Sequence, residues 1–276
     1  MAKPYTIALC YDFDGTLSPG NMQEYDFIPK LQSSPAEFWA HTRSIAKEQD
    51  ADEILAYMYH MCKEAEKKEI KIQRSDFRDF GRGVELFPGL VENGGLSWFK
   101  NINSYAAQYG AVVKHYIISS GIKEMIEGTA IAGEFDKIFA STFMYDLYGA
   151  AHWPAQAINY TTKMQFLFRI NKGILDINRD INSFMPEDER PVPFRRMVYF
   201  GDGSTDIPAM KLVRTQGGYS IAVHGPGVKR PESLLSENRV NYVAEADYRE
   251  GSDLTAQVKR VIAKICAERA VETEGE

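Results

Sequence analysis

Long apolar runs are missing from this chain of 276 residues. None approaches the ~18 continuous apolar residues that a membrane-spanning helix needs. The apolar run near the N-terminus is also too short for a signal peptide, and acidic residues follow it at once. We therefore expect no membrane span, no membrane partner and a cytoplasmic location.

Cysteine and histidine are too few or too scattered to form recognisable motifs. The three cysteines, Cys10, Cys62 and Cys266, have no paired spacing, which favours a reducing compartment over a disulfide framework. No pair among the five histidines has the HExxH spacing of a zinc-binding helix. The sequence alone therefore predicts neither a disulfide framework nor a zinc site.

An excess of positive charge is also absent. The formal net charge is −6 at pH 7 and the isoelectric point about 5.5, so the electrostatic signature of a nucleic-acid-binding protein is lacking. Hydrophobic residues make up 44% of the chain and charged residues 25%, which is typical of a soluble globular protein. The length suits one large domain, or one domain with an insertion.

The stretch Asp12-Phe13-Asp14-Gly15-Thr16-Leu17 follows an apolar run, Thr6 to Tyr11, that predicts a buried strand. Side chains alternate along a strand, so Asp12 and Asp14 fall on one side of the chain. Two carboxylates at a buried strand end need a partner, and a divalent cation is suited to both. Gly15 and Thr16 turn the chain and offer an N–H or a hydroxyl to an anion. The alternative is an acidic turn that caps a strand.

A second polar strand end follows Val112 to Ile118, a run rich in β-branched residues that ends in Ser119-Ser120-Gly121. A hydroxyl and the N–H groups after it can bind a phosphoryl oxygen, helped by a helix predicted to start near Ile122. The alternative is an ordinary serine N-cap, which is common.

A lysine opens the next marked helix. Lys163 follows Tyr160-Thr161-Thr162, and Phe166 and Ile170 lie on one face of the predicted helix, which ends at Gly173. Lys172 is the competing cation, but a lysine in the last turn is explained by the helix dipole.

A further pair of carboxylates follows the strand predicted over Arg196 to Phe200. The chain continues as Gly201-Asp202-Gly203-Ser204-Thr205-Asp206-Ile207-Pro208, in which glycines permit a tight turn and proline suits the first turn of a helix. Asp202 and Asp206 therefore reach the tip of another parallel strand. A helix predicted over Leu90 to Tyr109 and an acidic tail predicted over Glu272 to Glu276 complete the outline.

Taken in order, these four stretches resemble the motifs of the haloacid dehalogenase superfamily. The resemblance implies a doubly wound, Rossmann-like α/β fold with a parallel sheet. It also implies a nucleophile at Asp12, a general acid and base at Asp14, and phosphate contacts from Ser119 and Lys163. By the same resemblance Mg²⁺ is held by Asp12, Asp14 (through its backbone carbonyl) and Asp202, with Asp206 completing or supporting the site. The substrate-binding set is then Thr16, Ser119, Ser120, Gly121 and Lys163.

The segment from Met22 to about Arg82 has helical character, with a helix start at Ser34-Pro35 and an apolar stripe that includes Ile54, Met58, Met61 and Ala65. It resembles the helical cap of one branch of the superfamily. The predicted division is a core domain of residues 1–18 and 87–276 and a cap of residues 19–86. Candidate cap residues for substrate contact are Trp39, His41, Arg43, Tyr57, Tyr59 and His60. The alternative for them is a place in the cap core or on its surface.

The resulting hypothesis is a Mg²⁺-dependent phosphoric monoester hydrolase, acting on a small phosphorylated metabolite through an aspartyl-phosphate. The alternatives are a phosphotransferase or mutase on the same scaffold, a dehalogenase, or a binding protein that kept the fold without catalysis. Dehalogenases lack the second acid, so the presence of Asp14 disfavours that reading. The sequence leaves the substrate and the oligomeric state open.

Overall fold

A computed structural model describes residues 5–91 and 97–274. Its centre is one seven-stranded sheet in the order β4-β3-β2-β1-β5-β6-β7. The strands are β1 (Tyr5–Tyr11), β2 (Ala111–Ile122), β3 (Lys137–Tyr145), β4 (Ala151–Gln156), β5 (Met197–Gly201), β6 (Tyr219–His224) and β7 (Tyr242–Glu245). All neighbouring pairs are parallel except β3–β4, which is antiparallel. The predicted parallel α/β sheet is confirmed.

Helices cover both faces of the sheet. Alternate residues of β1 point to opposite faces and pack against different helices. Ile7 and Leu9 share one apolar cluster with α5 (Ser97–Ala107) and α10 (Asp253–Glu274). Ala8 and Cys10 share the other with α7 (Thr162–Lys172), α8 (Ile207–Thr215) and α9 (Glu232–Ser236). The fold is therefore doubly wound.

The segment between β1 and α5 is helical, as predicted for a cap. It contains α1 (Phe27–Lys30), α2 (Pro35–Gln49), α3 (Glu53–Lys67) and α4 (Arg74–Gly81). The Ser34 side chain accepts the backbone N–H of Glu37 and forms a capping box with it, so the helix start predicted at Ser34-Pro35 is confirmed. The division at residues 18/19 and 86/87 stays a prediction.

Helix α4 makes one of the close contacts between this helical segment and the sheet domain. Helix α4 packs against α6 (Lys123–Gly128). A Cβ on Gly81 would lie 1.9 Å from the carbonyl oxygen of Met125, so only glycine permits this approach. Helix α6 follows β2 directly and carries the chain away from the strand end at Ile122.

Two predicted segments differ from the structure or extend outside its described part. The helix predicted over Leu90 to Tyr109 is observed as α5 from Ser97, and residues 92–96 lie outside the described ranges. Helix α10 runs through Glu274, into the segment predicted as a tail, and residues 275–276 lie outside. Within the described ranges, none of the helices is both long enough and apolar enough to cross a bilayer.

Candidate functional site

The register of three neighbouring strands brings their polar ends to one edge of the sheet. Tyr11 of β1 pairs with Ile117 of β2 and with Phe200 of β5. One or two residues after these paired positions, each chain segment reaches a polar motif residue. Asp12, Ser119 and Asp202 therefore lie side by side. The backbone N–H of Asp12 still donates to the Phe200 carbonyl at 2.9 Å, which extends the ladder to the first carboxylate.

The turn after β1 is shaped by Gly15, which has a φ of +73°. Its N–H donates to the Ser18 carbonyl at 2.8 Å. A Cβ at this position would lie 2.1 Å from Oδ2 of Asp202. Glycine is therefore needed both for the turn and for the approach of the Asp202 carboxylate to the first loop.

Lys163 is fully buried and joins two of the carboxylates. Its Nζ lies 2.9 Å from Oδ2 of Asp12 and 2.7 Å from Oδ1 of Asp206. Although burial opposes the charged form, these two carboxylates hold the pKa of Lys163 above its ordinary value. Lys172 instead donates to the carbonyls of Ile181 and Ser183, in the loop after α7. Of the two candidate lysines, only Lys163 lies in the acidic cluster.

Asp12, Asp202 and Asp206 form a cluster in which carboxylate oxygens lie within 4.8 Å of one another. Burial and the neighbouring Asp206 raise the pKa of Asp12 well above its usual range, against the opposing charge of Lys163. Burial and Asp206 likewise raise the pKa of Asp202 to about 7. Desolvation and the concentration of negative charge at one strand edge both disfavour the ionised carboxylates. A hard divalent cation relieves this repulsion and prefers carboxylate oxygens, so the donor set fits Mg²⁺.

Asp206 is the most fully bonded member of the cluster. Besides Lys163, the hydroxyl of Tyr199 donates to its Oδ1 at 2.7 Å, and the N–H of Gly203 lies 3.2 Å from its Oδ2. Both oxygens therefore already have partners from the protein. This fits the supporting role expected for Asp206. Sequence reasoning missed Tyr199, whose position inside an apolar strand run gives no signal of a polar contact.

The carboxylate of Asp14 lies outside this cluster of three. Its Oδ1 accepts the backbone N–H of Met22 at 2.9 Å, and the residue lines the cavity described below. Burial raises the pKa of Asp14 to about 8. The metal contact expected of Asp14 involves its backbone carbonyl. Its carboxylate is therefore not needed as a metal ligand and is free to transfer protons.

The Ser119–Gly121 segment lies opposite the first loop. The Ser119 hydroxyl oxygen accepts the Gly121 N–H at 3.0 Å, and a Cβ on Gly121 would lie 3.0 Å from Oδ2 of Asp14. The Ser120 hydroxyl is buried without a hydrogen-bond partner. Strand β2 runs through Ile122 and the helix begins at Lys123, so the helix start predicted near Ile122 is confirmed. With six residues, α6 has a smaller dipole than a full-length helix.

Thr16, like Lys163, is a predicted substrate contact that does not line the cavity. Its side chain is fully buried, its hydroxyl has no partner, and it does not line the cavity. Its backbone N–H donates to the Phe13 carbonyl at 3.1 Å, and its own carbonyl accepts the Tyr248 hydroxyl at 2.7 Å. The structure thus places Thr16 inside the turn and away from a ligand.

A cavity of about 500 Å³ lies over these residues, between the strand ends and the helical segment. Of the cap candidates, Trp39, Arg43 and Tyr57 line it, whereas His41, Tyr59 and His60 do not. The lining residues of this segment also include polar side chains that the sequence did not mark as candidates, among them Gln23, Thr42 and Glu53. No sequence spacing links these three residues.

The model of the haloacid dehalogenase-like hydrolase family matches residues 9–211. An uncharacterized protein of Borreliella burgdorferi is 28% identical over 287 residues, covering 94% of this chain and 96% of that protein.

Solved structures of similar shape include a probable phosphoserine phosphatase from Vibrio cholerae, with a TM-score of 0.60, 13% identity and coverage of 97% of this chain and 68% of that one. A HAD family hydrolase from Salmonella enterica serovar Typhi has a TM-score of 0.56 and 16% identity, and the match covers 87% of this chain and 67% of that one. A phosphoserine phosphohydrolase-like protein from Francisella tularensis has a TM-score of 0.51 and 18% identity, and the match covers 86% of this chain and 94% of that one. At these identities the likeness establishes the fold.

Proposed function

This chain belongs to the haloacid dehalogenase-like hydrolase family, and from that premise we propose that it is a Mg²⁺-dependent phosphoric monoester hydrolase. The observation that carries the proposal is the pairing of Asp12 with the buried Lys163, beside a second, protonatable acid at Asp14. A nucleophile held by a cation and an acid that retains its proton are the two groups that phosphoryl transfer through an enzyme-bound intermediate requires.

Asp12 is the proposed nucleophile. Its Oδ1 accepts the N–H of Phe13 at 2.8 Å and its Oδ2 faces Lys163, so the orientation of the carboxylate is fixed before substrate arrives. One carboxylate oxygen attacks phosphorus in line, the ester P–O bond breaks, and an aspartyl-phosphate forms. Such pre-orientation lowers the entropy cost of bringing the reacting atoms together.

Asp14 is the proposed general acid and base. With its pKa raised to about 8 by burial, it keeps its proton near neutral pH and can transfer it to the departing alkoxide. The resulting carboxylate then accepts a proton from water, which attacks the aspartyl-phosphate and releases inorganic phosphate. The hydrogen bond from the Met22 N–H holds the side chain in the cavity during both steps.

The transferred phosphoryl group is proposed to lie in the cavity between the Ser119–Gly121 segment and Asp12. The unpartnered Ser120 hydroxyl and the Ser119 side chain supply donors on one side of the cavity. Lys163 supplies positive charge from behind Asp12. Asp12, Asp202 and the Asp14 carbonyl would hold Mg²⁺, with Asp206 in support, and the ion supplies charge neutralisation to the phosphoryl oxygens.

A small phosphorylated metabolite is the proposed substrate, because the helical segment covers the cavity and leaves about 500 Å³. Arg43 and Glu53 bring one charge of each sign to the lining of the cavity from the cap, and Trp39 adds an aromatic surface. These groups would contact the part of the substrate beyond the phosphate. The three free cysteines support a cytoplasmic location.

The test is a phosphate-release screen over a panel of phosphorylated metabolites in Mg²⁺, repeated in excess EDTA. We expect release from a subset of esters with Mg²⁺ and none in EDTA. The Asp12→Asn protein is the control for contaminating phosphatases. Full activity in EDTA would contradict the metal assignment, and equal activity of the Asp12→Asn protein would contradict the nucleophile.

A further inference from the structure

A second group of metal-ligand side chains lies in the helical segment, outside the lining of the cavity. It consists of His41 on α2 and of His60 and Glu64 on α3. Ligand atoms from all three residues lie within 4.8 Å of one another. The proposed phosphatase mechanism does not use these residues. The two histidines lie on different helices and are distant in sequence.

His60 is prepared as a ligand by its surroundings. The residue is only 3% exposed, its ring stacks on Phe38 at 4.4 Å, and its Nδ1 lies 2.9 Å from the Thr42 hydroxyl oxygen. With Nδ1–H as donor to Thr42, Nε2 carries the free lone pair that a metal needs.

The other two residues complete one face. Glu64 follows His60 by one helical turn and therefore shares its side of α3. The His41 ring lies 4.5 Å from that of His60, at an interplanar angle of 63°. The present partner of Glu64 is Lys67, at 3.6 Å, whose side chain is 73% exposed. Because the lysine of this pair is largely exposed, the pair contributes little stability, and a metal can displace the lysine.

We propose that His41, His60 and Glu64 form a binding site for a divalent transition metal of the zinc type, which bridges α2 and α3. Two imidazoles and a carboxylate are a common three-residue set for Zn²⁺, with water in the fourth position. Mg²⁺ and Ca²⁺ prefer oxygen ligands alone, so this site differs in metal preference from the acidic cluster at the strand ends.

The site has a physical link to the cavity through Thr42. This residue contacts His60 Nδ1 and also lines the cavity. Metal binding would fix the His60 ring and hold α2 against α3, and so brace the wall that carries Thr42. The proposal stands independently of the phosphatase activity, since it rests on the cluster alone.

The test is Zn²⁺ binding by the full chain in saturating Mg²⁺, measured by competition with a chromophoric chelator. The Co²⁺ absorption spectrum reports the ligand set. We expect one Zn²⁺ per chain and a tetrahedral Co²⁺ spectrum. His41→Ala and Glu64→Gln should each weaken binding at least the ~10-fold that loss of a second-shell group causes. Neither residue is fully buried, so both variants should fold.

His152→Ala is the matched control, because His152 is an exposed histidine on β4, outside the cluster. It should bind Zn²⁺ like wild type. Zinc should also raise the melting temperature of wild type and of this control more than that of His41→Ala. Equal binding by wild type and His41→Ala would overturn the proposal. So would loss of the bound zinc in Asp202→Asn alone, which would place it in the acidic cluster.

Discussion

Asp12 and Asp14 are two residues apart, yet their carboxylates contact different groups. Asp12 faces Lys163, whereas Asp14 accepts only the Met22 N–H among the hydrogen bonds of the described residues. Asp12→Asn should therefore give no covalent intermediate and no turnover. Asp14→Asn should keep the nucleophile but lose proton transfer, a loss of roughly 10²–10⁴-fold for an alkyl phosphate. The loss should be smaller for an aryl phosphate, whose leaving group needs no proton.

The measurement for these two variants is turnover of an alkyl and an aryl ester, combined with intact mass after acid quenching. Aspartyl-phosphate should accumulate in Asp14→Asn, because water is no longer activated. If Asp14→Asn turns over both esters at the wild-type rate, the assignment of the acid is wrong.

Lys163 is a single buried cation between two buried carboxylates. Replacing it by methionine leaves Asp12 and Asp206 without their counter-charge, which in buried pairs costs about 3–5 kcal/mol. We expect Lys163→Met to lower the free energy of unfolding by about that amount in EDTA at pH 7.5, measured by urea denaturation. Lys211→Met, on the exposed side of α8, is the control and should change it by less than ~0.5 kcal/mol. Equal stability of both variants would show that the buried pair is not needed for folding.

At this scale the sequence could place Asp12, Ser119, Lys163 and Asp202, because each directly follows an apolar strand or opens an amphipathic helix. Those signals are local. Tyr199 could not be found in this way, since its hydroxyl reaches Asp206 from inside an apolar run. Thr16 shows the opposite case: its hydroxyl stands out in the motif, but the side chain is fully buried and does not line the cavity.

At the scale of elements, helix α3 connects the helical segment to the phosphate side of the cavity. The Tyr57 hydroxyl donates to the Ser120 carbonyl at 2.6 Å, across 63 residues of sequence. Tyr57→Phe removes this bond, at a cost of about 0.5–1.5 kcal/mol. If the contact holds the Ser119–Gly121 segment in its phosphate-binding position, kcat/KM should fall roughly 3- to 10-fold.

Tyr59→Phe provides the matched comparison for that variant. Tyr59 lies on the same helix, is 48% exposed and does not line the cavity. Its activity should equal that of wild type, and the two proteins should melt alike. Both variants would also be titrated with orthovanadate, a phosphate analogue. Unchanged vanadate affinity in Tyr57→Phe would mean that the hydrogen bond does not position the phosphate-binding segment.

Element types were predictable from periodicity, but their contacts were not. The strand alternation along β1 and the capping box at Ser34 are set by neighbouring residues, and both are observed. The meeting of α2 with α3 at His41 and His60 depends on how two helices pack, which sequence spacing does not encode. For this reason the scattered histidines predicted no metal site, although the folded chain brings two of them together.

On the scale of the whole molecule, a chain of polar groups crosses the apolar core under the sheet. Trp98 Nε1 donates to the Tyr11 hydroxyl at 3.2 Å, and the Tyr11 hydroxyl lies 3.0 Å from Nδ1 of His115. On its other side, Nε2 of His115 lies 2.9 Å from Oδ1 of Asn103. This arrangement suits a neutral imidazole that accepts at Nδ1 and donates at Nε2. Burial accordingly lowers the pKa of His115 to about 3.

The sign of the resulting pH dependence follows from linkage. The unfolded chain takes up a proton at His115 below pH ~6.5, whereas the folded protein resists it until about pH 3, so stability falls as pH falls through this window. At 1.36 kcal/mol per pH unit, the loss from this residue is about 2 kcal/mol between pH 7.5 and pH 5. His60 contributes in the same direction, since its pKa is lowered to about 4. The site carboxylates Asp12, Asp14 and Asp202 act in the opposite direction, because their pKa values are raised.

The contribution of His115 is isolated by comparing wild type with His115→Gln, which keeps a side chain able to donate and accept but cannot titrate. We expect His115→Gln to be less stable than wild type at pH 7.5, because the glutamine amide fits the space between Tyr11 and Asn103 less well. The difference between the two proteins should shrink by about 2 kcal/mol at pH 5, since only wild type resists protonation there. Urea denaturation at both pH values, with Mg²⁺ held constant, measures it. A difference that does not change with pH would mean that His115 is protonated in the folded protein, and that the core accommodates an imidazolium ion.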